Sequence, residues 1–254
     1  MRIDVLTLFP EMFAALDASI PGRARKSGAL ELKCHYLREF AINKYGQVDD
    51  EPFGGEAGMV LRPEPLKKGL DSVFEELGAA RPKVILMSAQ GGIFTQEKAK
   101  ELAETENILI ICGHYKGVDQ RFVDAYVDEE LSIGDYVVSG GELPAMLVID
   151  AIARLLPGVL GDLASAETDS FFLPHRLGWP VYTRPQDFEG RTVPEALVSG
   201  HHENIRKWRI KASLEMTRKN RPDLFRAGGL TEEEKKIMGP PLAPEGGPEE
   251  KTKG

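Results

Sequence analysis

The sequence has little cysteine, no long apolar segment and no short metal-binding motif. Cys34 and Cys112 are far apart and lack CxxC spacing, which argues against a disulfide framework or a zinc site. His175, His201 and His202 have no third ligand at a convincing spacing, so no structural metal is predicted. No apolar run approaches the roughly 20 residues of a membrane span, and the segment MRIDVLTLFP is too weakly apolar for a secretory signal. We therefore expect a cytoplasmic protein without a membrane partner.

Common nucleotide-binding motifs are also missing. A Walker loop would end in Gly-Lys-Ser/Thr, and a dinucleotide fingerprint would read GxGxxG after a strand, but neither string occurs. Their absence disfavours a nucleotide oxidoreductase.

Positive charge is scarce overall and unevenly distributed. The chain carries 32 basic and 40 acidic side chains, which argues against indiscriminate nucleic-acid binding. Residues 175–228 nevertheless carry 11 basic and 6 acidic side chains, whereas residues 1–174 carry 17 and 28. A positive C-terminal module suits a polyanion, because phosphate contacts need local positive charge, although a solvated basic face explains the same pattern.

Alternating strand and helix patterns predict an α/β fold with a largely parallel sheet. Strands are predicted at residues 3–8, 30–36, 84–87 and 108–112, and helices at 63–77, 95–104, 142–155 and 201–219. In the last helix, Ile205, Trp208, Ala212 and Met216 fall on one apolar face. The expected organisation is a catalytic domain at 1–160, a flexible linker at 161–175, a basic helical domain at 176–228 and a disordered tail at 229–254.

Glycine-rich segments are the main functional signal. Residues 48–59 read VDDEPFGGEAGM, and three further glycine-containing segments, 88–92, 112–119 and 132–142, each follow a strand or turn. Ligands bind at the carboxyl ends of strands in such sheets. Tight turns would explain any one segment but explain three less well, and few charges suit an adenine-containing ligand contacted by backbone groups.

In order and spacing, the strings VDDEPFGGEAGM, CGHYKGVDQR, SIGDYVVSGGELPAM and VYTRPQDFEG, followed by SGHHENIRKWR, resemble the bacterial tRNA (guanine-37-N1)-methyltransferases of the SPOUT superfamily. The resemblance implies an enzyme that uses S-adenosyl-L-methionine to methylate N1 of the guanosine 3′ of the tRNA anticodon. It also implies a trefoil-knotted domain with helices on both faces of a mostly parallel sheet, and a small all-helical domain that binds tRNA rather than DNA. The protein would be a homodimer with active sites shared between protomers.

Site residues follow from the resemblance, motif by motif. The methyl donor site would comprise Ser88, Ala89, Gly91, Gly113, Tyr115, Ile133, Gly134, Tyr136, Val138, Gly140, Gly141 and Pro144. The substrate contacts would be Asp50, Gly55, Gly58, Ser170, Tyr182, Arg184, Lys207 and Lys211.

Methylation of guanine N1 requires a base, because N1 bears a proton at neutral pH, and a group that stabilises charge on O6. The resemblance places the base at Asp169 and the cation at Arg154. Relatives depend on Mg²⁺, for which this sequence shows no dedicated site. Lys116 stands where many relatives have glutamate, so position 116 receives no role in proton transfer.

Two alternatives remain open. The first is a knotted methyltransferase acting on a different RNA atom, such as a ribose 2′-hydroxyl, which the run 169–171 together with VYTRP disfavours. The second is a non-catalytic RNA-binding protein that uses the basic helix predicted at 201–219.

Overall fold

The computed structural model describes residues 1–161 and 169–239, and the chain separates into two units, Met1–Gly161 and Asp162–Gly254. None of the helices in the described part combines the length and apolar character needed to cross a membrane.

A parallel sheet lies at the centre of the first unit. Its strands are β1 (Arg2–Thr7), β2 (Glu31–Tyr36), β5 (Lys83–Ile93), β6 (Asn107–Cys112) and β7 (Glu129–Ser132), whereas β3 (Asp49–Asp50) and β4 (Val60–Leu61) form a separate antiparallel pair. The strand order is β2-β1-β6-β5-β7, and every neighbouring pair is parallel. The predicted mostly parallel α/β fold is confirmed.

Helices cover both faces of this sheet. They are α1 (Ser19–Lys26), α2 (Pro63–Leu77), α3 (Gln96–Ala103), α4 (Gln120–Tyr126) and α5 (Glu142–Ala153), with 3-10 helices at Pro10–Asp17 and Leu37–Phe40. Along β6, Ile108 and Ile110 face the core that includes α1, α3 and α5, while Leu109 and Ile111 face the core that includes α2 and α4. All four side chains are fully buried, which is why β6 reads as an uninterrupted apolar run.

The largest departure from the predicted strands lies in β5. The sequence predicts a strand that ends at Met87 and a loop over residues 88–92, but β5 continues to Ile93. Its pairing with β7 shifts register between Met87 and Gly92, both of which lie opposite Leu131. The glycines and polar residues therefore form an irregular part of a strand, because a bulge accommodates extra residues without ending the pairing.

The second unit is mainly helical. Its helices are α6 (Glu195–Val198), α7 (His202–Asn220), α8 (Pro222–Gly228) and α9 (Glu232–Met238), and a short hairpin joins β8 (Asp187–Phe188) to β9 (Arg191–Thr192). This hairpin is a departure from the all-helical expectation.

The buried face of α7 differs from the predicted one. Leu214 and Thr217 are its buried residues. The Thr217 hydroxyl accepts a hydrogen bond from the backbone N–H of Leu177 at 3.0 Å. The predicted face at Ile205, Trp208, Ala212 and Met216 is only partly buried.

The prediction that disorder begins at residue 229 is wrong for α9. Thr231 and Glu234 form a reciprocal capping box at its start. Arg176, near the start of the described part of this unit, forms a salt bridge with Glu234 at 3.3 Å. Composition alone misses a helix of seven residues that depends on such specific bonds. Residues 240–254 of the predicted tail and 162–168 of the predicted linker lie outside the described residues, and 169–175 of the linker form bends and turns.

Candidate active site

A cleft of about 270 Å³ lies at the carboxyl ends of β5, β6 and β7. These three strands are neighbours in the sheet, so the irregular part of β5 and the segments that follow β6 and β7 meet at one edge. Of the residues predicted to bind a methyl donor, all except Gly91 line this cleft: Ser88, Ala89, Gly113, Tyr115, Ile133, Gly134, Tyr136, Val138, Gly140, Gly141 and Pro144.

Two of the cleft segments are held together by their backbones. The N–H of Gly141 donates to the carbonyl of Gly113 at 2.7 Å, and Gly140 forms an antiparallel bridge with His114. A Cβ atom on Gly141 would lie 2.7 Å from Cα of Cys112. Glycine is therefore required here for close approach of two chain segments rather than for an unusual backbone angle.

The cleft presents backbone and aromatic groups rather than a cluster of cations. Tyr115, which adopts φ 60°, and Tyr136 expose their rings, and the charged side chains in the lining are Lys116 and Glu130. Lys116 is engaged by Glu56 at 2.8 Å, and this hydrogen bond holds the pKa of the Glu56 carboxyl below its usual range. The lining is unsuited to a triphosphate and compatible with a ligand contacted mainly by backbone groups.

A family model for "tRNA (Guanine-1)-methyltransferase TrmD" matches residues 1–227. The chain belongs to this family. The resemblance drawn from the motif strings is thus confirmed, and it covers both units.

Individual members of the family are similar over nearly their whole length. The tRNA (guanine-N(1)-)-methyltransferase of Desulforamulus reducens is 50% identical, with 94% of each chain covered. That of Moorella thermoacetica is 52% identical, with coverage of 94% of this chain and 95% of the relative. The crystal structure of tRNA (m1G37) methyltransferase from Aquifex aeolicus superposes with a TM-score of 0.72 at 43% identity, covering 89% of this chain and 95% of that one.

Gly91, the predicted donor residue outside the cleft lining, has a different environment. A Cβ atom there would lie 2.4 Å from the carbonyl carbon of Glu130. Because it lacks a side chain, Gly91 lets the irregular part of β5 lie directly against β7. It therefore affects the cleft by setting the course of the β5 backbone.

The glycine-rich segment 48–59, the first of the motif strings, contacts the cleft segment 113–118. The N–H of Lys116 donates to the carbonyl of Met59 at 3.0 Å, and the Lys116 side chain lies against Gly58. Of the residues predicted to contact substrate here, Asp50 pairs with Arg62 at 2.6 Å and Gly55 is exposed.

The remaining predicted site residues are divided between the two units. Arg154 is the C-cap residue of α5 in the first unit, whereas Asp169 is an exposed residue at a bend in the second. In that unit the Ser170 hydroxyl accepts from the N–H of Gly178 at 2.9 Å, and the Tyr182 ring lies 6.1 Å from that of Trp208. Three exposed basic residues complete the set: Arg184, Lys207 beside Glu203 and Lys211 beside Glu215.

Three buried or partly buried polar residues beside the cleft are missing from the motif-based assignment. They are Thr7, His114 and Glu142. His114 stands between two assigned residues in CGHYKGVDQR, and Glu142 is a charged residue at the start of a largely apolar helix, so both carried a signal. Thr7 ends a buried strand and has no distinguishing sequence context.

Proposed function

We propose that this protein transfers a methyl group from S-adenosyl-L-methionine to N1 of guanosine 37 of tRNA. The observation that carries the proposal is the cleft where the three family segments meet at the carboxyl edge of the sheet. Membership of the tRNA (guanine-1)-methyltransferase family supports the reaction class, and similarity to the tRNA (m1G37) methyltransferase of Aquifex aeolicus supports nucleotide 37.

The cleft fits the proposed donor in two respects. Its glycines lack side chains and so let an adenine or an amino-acid moiety approach the backbone, and its exposed aromatic rings suit apolar contact with the base. When bound there, S-adenosyl-L-methionine would supply an electrophilic methyl group.

Asp169 and Arg154 are proposed to act on the guanine. Transfer of a methyl group to N1 requires loss of the N1 proton, which the Asp169 carboxylate would accept. The Arg154 guanidinium stabilises the negative charge that develops on O6. Asp169 is exposed in the described structure and is thus accessible to a substrate.

The tRNA is proposed to contact both units. In the first unit, the segment carrying Asp50, Gly55 and Gly58 is tied to the cleft through Met59 and Lys116, which supports a role next to the reacting base. In the second, Tyr182, Arg184, Lys207 and Lys211 belong to the basic part of the chain, whose charge suits phosphate contacts, and Ser170 lies shortly before it. Mg²⁺ is proposed to take part without a dedicated protein site, held mostly by the RNA.

A homodimer with shared active sites is also proposed. Leu143 and Leu147, one helical turn apart on α5, are 55% and 47% exposed and form an apolar strip that a second copy would cover. We further infer that the cleft segments belong to the trefoil knot of the family, and the hydrogen bond between the backbones of Gly113 and Gly141 supports this inference.

The decisive experiment incubates the protein with methyl-labelled donor and tRNA transcripts that differ at nucleotide 37. Label on N1 of guanosine 37, and its loss when that guanosine is replaced, is the expected result. Label on a ribose would favour the alternative knotted methyltransferase, and failure to bind donor at all would favour a non-catalytic RNA-binding protein.

The same assay tests the proposed base. Asp169→Asn should bind donor normally and lose most single-turnover methyl transfer, because the amide cannot accept the N1 proton. Arg154→Ala should slow the chemical step more than it weakens tRNA binding. A near-normal rate in Asp169→Asn would exclude this base, and a pure affinity loss in Arg154→Ala would make Arg154 a phosphate contact.

A further inference from the structure

A cluster of three polar side chains connects three elements beside the cleft. Thr7 ends β1, His114 follows β6 and Glu142 begins α5. Thr7 is fully buried, and the Glu142 side chain is 3% exposed. A carboxylate removed from water to this degree is costly unless its oxygens have polar partners, so its surroundings reveal what it holds in place.

Thr7 fixes one oxygen of this carboxylate. The Thr7 hydroxyl accepts a hydrogen bond from the N–H of Phe9 at 3.0 Å and donates to Oε1 of Glu142 at 2.8 Å. Because the backbone N–H must be the donor to Thr7, the single hydroxyl proton is directed to Glu142. The carboxylate also lies in the first turn of α5, where the helix dipole favours negative charge.

The other oxygen faces His114. Oε2 of Glu142 lies 3.8 Å from Nδ1 of His114. That nitrogen is buried and has no hydrogen-bond partner among the described residues. The imidazole is further bounded by the Phe9 ring at 5.3 Å and the Tyr115 ring at 4.9 Å. The Glu142 carboxylate therefore faces a buried nitrogen that lacks a hydrogen-bond partner among the described residues.

Gly140 connects this cluster to the second cleft segment. A Cβ atom on Gly140 would lie 2.4 Å from both Oε2 of Glu142 and Nδ1 of His114. The carboxylate and the imidazole therefore occupy the place where a side chain at position 140 would be. Gly140 also pairs with His114 through the backbone. The segments that contain His114 and Gly140 therefore lie next to each other at the carboxylate–imidazole contact.

We propose that Glu142, fixed by Thr7, is a positioning residue for methyl transfer that acts through His114 on the relative placement of segments 113–117 and 139–141. It does not touch the reacting atoms. Its effect reaches the donor through Tyr115 and Gly140, which line the cleft on either side of the contact. This inference rests on the proposed function, because it assigns the donor to that cleft.

The test compares Glu142→Gln with Asp4→Asn, since Asp4 is a second buried carboxylate whose partners, Arg2 and His35, are not part of the cleft. Binding of S-adenosylhomocysteine is measured by calorimetry on folded protein, together with KM for donor, KM for tRNA, kcat and the thermal midpoint. Glu142→Gln should weaken S-adenosylhomocysteine binding and raise the donor KM by about tenfold or more, with KM for tRNA unchanged. Asp4→Asn should lower the thermal midpoint and leave donor affinity at the wild-type value.

Two further comparisons separate positioning from simple packing. Thr7→Ser, which keeps the hydroxyl, should retain donor affinity, whereas Thr7→Val should lose it to a similar extent as Glu142→Gln. His114→Phe, which keeps a ring but removes Nδ1, should share that loss, and combining it with Glu142→Gln should add little, because the two residues act as one unit.

The outcomes distinguish this inference from the proposed function. Wild-type protein that fails to bind S-adenosylhomocysteine overturns the donor site and the positioning role together. Wild-type binding with an unchanged affinity in Glu142→Gln overturns the positioning role alone, and so does a Glu142→Gln variant that, like Asp4→Asn, loses only stability.

Discussion

At the scale of single residues, the cleft depends on glycines that are needed for space. Gly91 and Gly140 have ordinary negative or extended φ values, yet a Cβ atom on either would lie 2.4 Å from a neighbouring atom. Gly92, next to Gly91, has no atom within 4 Å of its Cβ position. These glycines look equivalent in the sequence, and only the packing around each one shows which of them has room for a side chain.

This difference predicts the outcome of three alanine substitutions. Gly140→Ala must separate Glu142 from His114, and Gly91→Ala must displace β5 from β7, so each should weaken S-adenosylhomocysteine binding by roughly tenfold or more. Gly92→Ala is the matched control and should bind as the wild type does. Calorimetry on the three variants checks this, and equal affinities across the series would show that the close contacts do not shape the donor site.

At the scale of elements, the edge strand β2 is joined to β1 through the buried carboxylate of Asp4. The Asp4 carboxylate, fully buried on β1, accepts from Arg2 at 2.8 Å and contacts His35 of β2 at 2.7 Å. Burial alone would raise the pKa of Asp4, but the hydrogen bonds from His35 and Arg2 hold that pKa below its usual value. The ionised form therefore stabilises the junction of these two strands.

The lowered pKa predicts a specific pH dependence. A carboxyl group with a depressed folded-state pKa stabilises fully above its unfolded-state pKa, about 3.9, and that stability is lost as pH falls through the folded-state pKa. Asp4→Asn should thus lower the free energy of unfolding by about 2–4 kcal/mol at pH 7, and the difference from wild type should shrink below about pH 4.

Urea unfolding between pH 7 and pH 3 measures this difference. Glu76→Gln is the control, because Glu76 is 36% exposed and its pairs with Arg2 and Lys33 should contribute less than about 1 kcal/mol. A difference between Asp4→Asn and wild type that stays constant over this pH range would contradict the role of the ionised carboxylate.

The elements that sequence predicts well are those stabilised by apolar periodicity. Helix α2 occupies the predicted residues 63–77, and α5 begins at the predicted Glu142, because each presents a long apolar face to the core. Strand β7 has only four residues, and the extension of β5, which reads SAQGGI, is rich in glycine and small or polar residues, so neither carries a periodic pattern. Both are held by pairing to distant strands, which local sequence does not encode.

In the candidate site, too, the sequence predicts the residues of local motifs but not the contacts between distant residues. Motif strings lead to the cleft segments because the glycines and aromatic residues there are close together in sequence. The Thr7–Glu142 hydrogen bond joins residues 135 positions apart, and no spacing rule connects them before the strand order is known. The same holds for Lys116 and Glu56, whose opposite charges become a pair only when the two segments meet.

At the scale of the whole molecule, the proposed homodimer combines residues of different chains in each active site. Arg154 and the donor cleft belong to the first unit and Asp169 to the second. A site built by one chain and a site shared between chains lead to different activities in a mixed dimer. A donor-blocked chain and a base-deficient chain, mixed in one dimer, separate these possibilities.

Ala89→Trp is the suitable donor-blocked chain. Ala89 is exposed and lines the cleft. An indole there adds volume to the donor site without displacing the core. A tryptophan at Gly141 would instead meet the backbone at Cys112, because the Cβ position lies 2.7 Å from Cα of that residue. The base-deficient chain is Asp169→Ala, and both homodimers should be inactive.

The mixed dimer, purified with two different tags, should recover activity if sites are shared. One of its two sites then joins the intact cleft of the Asp169→Ala chain to the intact Asp169 of the Ala89→Trp chain, so about half of the wild-type rate per dimer is expected. If each site is built from a single chain, every site in the mixture keeps one defect. Absence of methyl transfer in a mixed dimer that binds one S-adenosylhomocysteine per dimer, which demonstrates one intact cleft, would exclude the shared site.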